Sequence, residues 1–219
     1  MIIIGNGRLI TRNAAEPYYE NGAVVTENEL IKETGTTAEM RLKYPDAEFV
    51  DAKGGVIMPA FINAHTHIYS ALARGLSIAG YNPTNFYEVL DGMWWKIDRS
   101  LTLEDTRRSA YTTIIDCIKT GCTTIFDHHA SFCQIEGSLF AIAEAAKALG
   151  IRACLCYEVS ERDGEKKCDE SIEENKSFID HCERENDPML KAMFGGHALF
   201  TIGDKTFEKC VKANGGRTG

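Results

Sequence analysis

An apolar run that ends in two histidines constrains this chain more than any other stretch. Residues 56–67 read Val-Ile-Met-Pro-Ala-Phe-Ile-Asn-Ala-His-Thr-His. An apolar run without a polar face predicts a buried parallel strand. Successive strand side chains point to opposite faces, so His65 and His67 leave the strand on one side and can hold one ion. Neutral imidazole is a common ligand for zinc and other first-row metals. The alternative is that backbone carbonyls satisfy both rings at the strand end.

The rest of the chain predicts strands that alternate with helices. Strands are predicted at residues 56–67, 122–128, 153–159 and 190–198. Helices are predicted after a capping box at Thr102, at residues 138–149 and 169–185, and at residues 206–213 with Asp204 as the cap. This alternation predicts an α/β fold with a parallel sheet, either a barrel or a doubly wound sheet. Residues 1–57 predict short strands joined by turns.

Polar side chains end all four predicted strands. They are His65 and His67, then Asp127, His128 and His129, then Glu158, and finally His197. In a parallel barrel the carboxyl ends of the strands meet at one mouth, so we expect one shared pocket. The two-residue period of a strand lets only one of His128 and His129 face it. The long segment 70–101 belongs at the same mouth, where Trp94 and Trp95 either stack on a planar ring or pack the segment onto the barrel.

Charge and cysteine content narrow the class of protein. The net charge of −8 argues against nucleic acid and anionic membranes as partners. No stretch has the length of a membrane span, and the N-terminus does not have the pattern of a secretory signal. None of the eight cysteines forms a C-x-x-C pair. We therefore expect a cytoplasmic protein with reduced thiols.

Five segments resemble a known family. Residues 59–67 resemble the P-G-F-[IV]-[ND]-x-H-x-H signature of the metal-dependent amidohydrolase superfamily, with Ala60 where the family usually has glycine. Residues 121–128 and 196–201 resemble the G-[CT]-T-T and G-x-H-A-x-x-T segments of its aminohydrolase and chlorohydrolase branch. Residues 94–102 and 127–131 look closest to aminohydrolases of the SsnA type.

The resemblance implies a fold and a metal. The fold is the N-terminal half of a (β/α)8 TIM-like barrel, with its first four βα units at residues 58–219, preceded at residues 1–57 by part of a small β-sandwich. His65 and His67 are implied to bind one divalent metal ion, with zinc expected and iron or manganese able to fit. Catalytic residues are expected beyond Gly219, so the isolated chain is expected to be an inactive fragment with exposed sheet edges.

The resemblance also implies a reaction. A metal-activated water would deaminate an amino-substituted heterocycle such as a purine, which is hydrolysis of a carbon–nitrogen bond other than a peptide bond. The residues implied to contact this small-molecule substrate are His197, His128, His129, Glu158, Asp98 and Trp95. The full-length enzyme is expected to be a homo-oligomer. The alternatives are triazine-type dechlorination or cyclic amide hydrolysis, and, from another class, a non-catalytic metal-binding or assembly module.

Overall fold

The computed structural model describes residues 1–217 and divides into two compact units, Met1–Ala60 and Phe61–Gly219. The first unit is a five-stranded sheet. Its strands are β1 (Ile2–Ile10), β2 (Tyr18–Glu27), β3 (Leu30–Thr36), β4 (Glu48–Asp51) and β5 (Val56–Ile57). The order is β3-β2-β1-β4, with β5 also paired to β1. Burial alternates along β1, and its inward residue Ile3 packs with Val25 and Met40 under helix α1 (Thr37–Lys43).

The second unit carries four parallel strands in sequential order. They are β6 (Phe61–Thr66), β7 (Cys122–His129), β8 (Arg152–Tyr157) and β9 (Leu190–Ala192). The strands are followed by helices α4 (Leu103–Lys119), α5 (Ser138–Leu149), α6 (Glu165–Glu185) and α7 (Asp204–Asn214). Between β6 and α4 the chain forms short helical turns at Ile68–Ala73, α2 (Phe86–Val89), a π-helical turn at Leu90–Trp94, and α3 (Trp95–Asp98). Sequential strand order is that of a barrel, since a doubly wound sheet reverses its order at a switch point.

Short sequence motifs mark where the helices of this unit begin and end. The predicted capping box begins α4, because Thr102 Oγ1 accepts the Asp105 N–H at 3.2 Å and the Asp105 carboxylate accepts the Thr102 N–H at 3.0 Å. Gly150 ends α5 in a left-handed conformation that a side chain would strain. The helices cover a core that includes Ile125 and Leu155. No helix within residues 1–217 is long and apolar enough to span a membrane.

The structure corrects the prediction of one buried strand at residues 56–67. Val56–Ile57 pairs with β1 in the first unit, whereas Phe61–Thr66 pairs with β7 in the second. Pro59 lies between the two strands and cannot donate to a ladder. Phe61 and Ile62 are each more than half exposed, because β6 pairs with β7 alone among the described strands.

Several other predicted boundaries were wrong. The third strand ends at Tyr157 rather than residue 159. The fourth strand ends at Ala192 rather than residue 198, and only an isolated bridge from Val159 to Gly196 continues it. Helix α6 begins four residues earlier than predicted, directly after Gly164. Asp204 is the first residue of α7 and not its cap, because Gly203 occupies the N-cap position.

Candidate metal and substrate site

His65 and His67 bring two ring nitrogens together at the end of β6. Their Nε2 atoms are 3.2 Å apart, and the rings meet edge to face. His67 Nδ1 lies 2.9 Å from the backbone carbonyl oxygen of His128 on the neighbouring strand. A carbonyl can only accept, so Nδ1 carries the proton and Nε2 of a neutral His67 keeps its lone pair. Burial lowers the pKa of His67, which favours this neutral, ligating form.

The spacing of these nitrogens fits a tetrahedral metal ion. Two nitrogens about 2.0–2.1 Å from a zinc ion at the tetrahedral angle lie about 3.3 Å from each other. Within residues 1–217 no group of three or more His, Cys, Asp or Glu side chains is arranged to hold a metal ion. The described part of the chain therefore offers two ligands, fewer than the three that a catalytic zinc usually takes from protein.

Asp127 fixes the backbone immediately after His67. Its Oδ1 accepts the Ile68 N–H at 2.6 Å, and the carboxyl is fully buried. Burial raises the pKa of Asp127 to about 8, although the Ile68 N–H opposes the shift. Asp127 on β7 thus holds the turn that follows His67 through its bond to the Ile68 N–H.

A cleft of about 390 Å³ opens beside His67. It is lined by His67, Tyr69, Ser70, Phe86, Leu90, Trp94, His128, Glu158, His197 and Ala198. The residues that line the cleft include some at or just beyond the carboxyl end of each of the four strands. A mostly apolar cleft with a few convergent polar groups is the usual form of a small-molecule site. The expected shared pocket is therefore present in the second unit.

Of the adjacent histidines on β7, the structure brings only His128 to the cleft. Burial, together with the neighbouring His67, lowers the pKa of His128 to about 4. His129 points the other way and is fully buried, with its Nε2 at 3.0 Å from Ser131 Oγ. Among the described residues its Nδ1 has no hydrogen-bond partner, and burial lowers its pKa to about 3. His129 is placed to support the cleft wall and not to touch a ligand.

Glu158 and His197 lie next to each other in the lining of the cleft. Glu158 Oε2 lies 3.8 Å from His197 Nε2 and 4.0 Å from His128 Nδ1. The Glu158 N–H donates to the His129 carbonyl, and the His197 N–H donates to the Val159 carbonyl, so backbone bonds hold both residues. Burial raises the pKa of Glu158 to about 7 against the opposing effect of Arg162, and burial lowers the pKa of His197 to about 4.

Asp98 and Trp95 lie behind the cleft and do not line it. Asp98 is buried and accepts two hydrogen bonds from Arg162. Trp95 is also buried and packs edge to face on Tyr87 and His197. Its neighbour Trp94 lines the cleft. The two tryptophans therefore divide the predicted roles, since Trp95 packs the segment in place while Trp94 is open to a ligand.

The sequence analysis assigned no role to Arg162, Tyr69 or Thr201, although Thr201 ends the 196–201 segment that resembles the family. Tyr69 could have been found, because it follows the histidine pair by two residues. Arg162 gave no signal, since its partner Asp98 lies 64 residues away in sequence. Thr201 Oγ1 bonds to His197 Nδ1, a contact that depends on the short helical turn at Leu199–Thr201.

The model of the amidohydrolase family matches residues 56–214. This chain belongs to the amidohydrolase family. A second model, the imidazolonepropionase-like composite domain of bacteria, matches residues 22–47. The predicted fold class, half of a TIM-like barrel preceded by part of a β-sandwich, is confirmed. The residue limits proposed for the two domains, 1–57 and 58–219, stay a prediction.

Curated relatives of this amidohydrolase chain include two kinds of deaminase. The 5'-deoxyadenosine deaminase of Methanosarcina barkeri is 30% identical over 218 residues, which are 100% of this chain and 47% of the relative. The 5-methylthioadenosine/S-adenosylhomocysteine deaminase of Syntrophomonas wolfei is 28% identical over 96% of this chain and 46% of the relative. The chain spans about half the length of the curated relatives it matches.

A solved structure has the same fold. The atrazine chlorohydrolase of Arthrobacter aurescens, a mutant complexed with zinc and atraton, matches with a TM-score of 0.77 and 21% identity. The match covers 98% of this chain and 51% of the chlorohydrolase. At this identity the likeness shows a shared fold and leaves the reaction open.

Proposed function

We propose that this chain supplies the histidine pair and much of the substrate cleft of a hydrolase that deaminates an amino-substituted heterocycle of the purine or adenosine type. The observation that carries the proposal is the 3.2 Å approach of His65 Nε2 and His67 Nε2 beside a cleft shared by four strand ends. Membership of the amidohydrolase family supports a hydrolytic reaction. Relatives that are named deaminases of adenosine-like compounds support the substrate class.

The chemistry follows from what each residue offers. His65 and His67 would hold one divalent metal ion, zinc first and iron or manganese as fitting alternatives. Such an ion lowers the pKa of a bound water and so supplies a nucleophile at neutral pH. His67 Nδ1 keeps its proton and donates it to the His128 carbonyl, which keeps the ring turned toward His65. Trp94 and Tyr69 would cover a planar ring and exclude bulk water from it.

Metal binding tests the first half of the proposal. Wild-type chain should bind one equivalent of zinc in isothermal titration calorimetry. His65→Ala and His67→Ala should each weaken zinc binding by at least about tenfold, because each removes a direct ligand. His181→Ala is the matched control, since His181 lies on α6 and bonds to Arg184. Unchanged zinc affinity in both variants would refute the assignment of the two ligands.

Activity tests the second half. In the protein that contains this chain, ammonia release should be measured from 5'-deoxyadenosine and 5-methylthioadenosine, with chloride release from atrazine as the competing reaction. Ammonia release that disappears in His67→Ala and persists in His181→Ala supports the deaminase. Chloride release without ammonia release would refute the proposed deamination and favour dechlorination. Zinc binding without turnover of any substrate would favour the non-catalytic metal-binding module.

We also propose that the protein works in the cytoplasm and as a homo-oligomer. The first proposal is supported by free thiols, most of them buried, which suit a reducing compartment. The second is supported by the family resemblance. Light scattering coupled to size exclusion tests it, and a monomer at micromolar concentration would contradict it.

A further inference from the structure

Arg162 binds one oxygen of the Glu158 carboxylate and leaves the other oxygen facing the cleft. It follows β8 in the chain, and its side chain is 5% exposed. Its guanidinium stacks on the Phe132 ring at 3.9 Å and on the Trp95 ring at 5.1 Å, which fixes the plane of the group. Arg162 Nη2 donates to Glu158 Oε1 at 3.1 Å and to Asp98 at 2.6 Å. Glu158 Oε1 therefore bonds to the buried guanidinium of Arg162 and not to a ligand in the cleft.

The other oxygen of Glu158 faces the cleft. Oε2 lies 3.8 Å from His197 Nε2 and 4.0 Å from His128 Nδ1, and neither distance is that of a hydrogen bond. An ionised carboxylate oxygen has only acceptor positions. Because Arg162 holds Oε1, the carboxylate cannot rotate without breaking a buried ion pair. Oε2 thus stays at the cleft as a fixed acceptor.

The tautomer of His197 is set by Thr201. Thr201 Oγ1 donates its single proton to the Ala198 carbonyl at 2.8 Å. The same oxygen lies 2.9 Å from His197 Nδ1, so it must accept there and Nδ1 must carry the ring proton. In the neutral ring, Nε2 is then a bare acceptor. When Glu158 is ionised, two acceptors, Glu158 Oε2 and His197 Nε2, therefore face each other across 3.8 Å with no proton between them.

We infer that Glu158 and His197 form an acceptor pair that selects ligands presenting an N–H or O–H group to this side of the cleft, and that Arg162 and Thr201 are its positioning residues. An amino group placed against the two atoms can donate one proton to each, and a single N–H or O–H can donate to one of them, whereas an acceptor there is repelled and leaves both unpaired. The inference deepens the proposed function, on which it rests for the identity of the ligand as an amino-substituted heterocycle. The amino group and ring N–H of such compounds are donors of this kind.

The decisive experiment reads the tautomer of His197 directly. This chain, labelled with nitrogen-15 in its histidine rings, is examined by NMR at a pH about one unit above the pKa of about 7 that burial gives Glu158. We expect His197 to carry its proton on Nδ1 alone. In Thr201→Val, which keeps the shape and removes the hydroxyl, we expect the proton to move to Nε2 and to bond to Glu158. Thr112→Val on α4 is the matched control and should leave the His197 signals unchanged.

Ligand selection is measured on the same samples with adenine and purine, which differ by one amino group. Wild type should bind adenine at least about tenfold more tightly than purine, the discrimination expected when a site built to bond a donor loses it. That ratio should fall toward one in Thr201→Val and in Arg162→Lys. A His197 ring protonated on Nε2 in the wild type would overturn the inference, as would an adenine preference that both variants retain.

These outcomes are separate from those of the deaminase assay. The tautomer is read without turnover, so an Nδ1-protonated His197 in a protein that releases no ammonia would refute the proposed reaction and leave the acceptor pair standing. If Arg162→Lys does not fold, Thr201→Val and the wild-type spectrum decide the question.

Discussion

Replacing Arg162 with methionine should destabilise this chain by about 3–5 kcal/mol at neutral pH, the usual cost of removing one partner of a buried ion pair. The side chains left behind, Asp98 and Glu158, are 1% and 4% exposed. A carboxyl whose pKa is near 4 in the unfolded chain can escape this cost by taking up a proton, which at pH 7 costs about 4 kcal/mol relative to the unfolded chain. Methionine fills similar space, so a cavity contributes little to the loss.

The stability of the Arg162→Met variant should also depend on pH differently from that of wild type. Without Arg162, burial raises the folded-state pKa of the remaining carboxyls further, and a raised acid pKa contributes stability that is present at low pH and lost as pH rises. The deficit against wild type should therefore shrink as pH falls, by up to about 1.4 kcal/mol per pH unit for each carboxyl. The contribution of each carboxyl ends near its wild-type pKa, which burial raises to about 7 for Glu158 and to about 6 for Asp98. Adding Asp98→Asn to the variant should recover a large part of the deficit at neutral pH, because a neutral amide replaces an unpaired charge.

Urea denaturation followed by circular dichroism measures both effects. Arg74→Met is the matched control, since Arg74 is 69% exposed and pairs with Asp116, which is 49% exposed. Its loss should cost less than about 1 kcal/mol. A deficit for Arg162→Met that is as small as that of the control, or one that does not change with pH, would refute the view that Arg162 neutralises buried carboxylates.

Three further changes test other parts of the second unit. Burial lowers the pKa of His129 to about 3, so the unfolded chain binds a proton below neutrality that the folded chain does not. Wild type should therefore lose about 2 kcal/mol from this ring by pH 5. His129→Gln should flatten that loss in urea titrations across pH, and equal slopes in His129→Gln and the half-buried control His181→Gln would contradict this. Thr102→Ala should cost about 1 kcal/mol by removing the α4 cap, and an unchanged thermal midpoint would argue against it. Asn175→Ala should cost about 3 kcal/mol, because the buried amide bonds both the N–H and the C=O of Tyr157, and a loss below about 1 kcal/mol by denaturation would show that water replaces it.

Much of the fold could be read from the sequence because its signals are local. The capping box at Thr102 and the glycine after Leu149 mark helix ends within a few residues of chain. The spacing of His65 and His67 was enough to predict that both rings leave one side of a strand, and their Nε2 atoms do meet. Strand-helix alternation predicted a parallel sheet, and the sheet is parallel.

The remaining features depend on contacts between distant residues. The 56–67 run looked like one strand because both halves are apolar, but its halves pair with different strands. The period of a strand shows that His128 and His129 face opposite ways without showing which of them faces the cleft. Arg162 is buried only because Asp98 and Glu158 neutralise it, and no local pattern of residues contains that information.

The bond from His67 Nδ1 to the His128 carbonyl has a consequence for how this protein can change over generations. The acceptor is a main-chain atom, so every amino acid at position 128 provides it. The side chain there lines the cleft, so it can be replaced while the bond that orients His67 is kept. Substitutions at position 128 should therefore change the lining of the cleft without changing the orientation of His67. Position 128 is the first at which we would seek altered ligand selectivity.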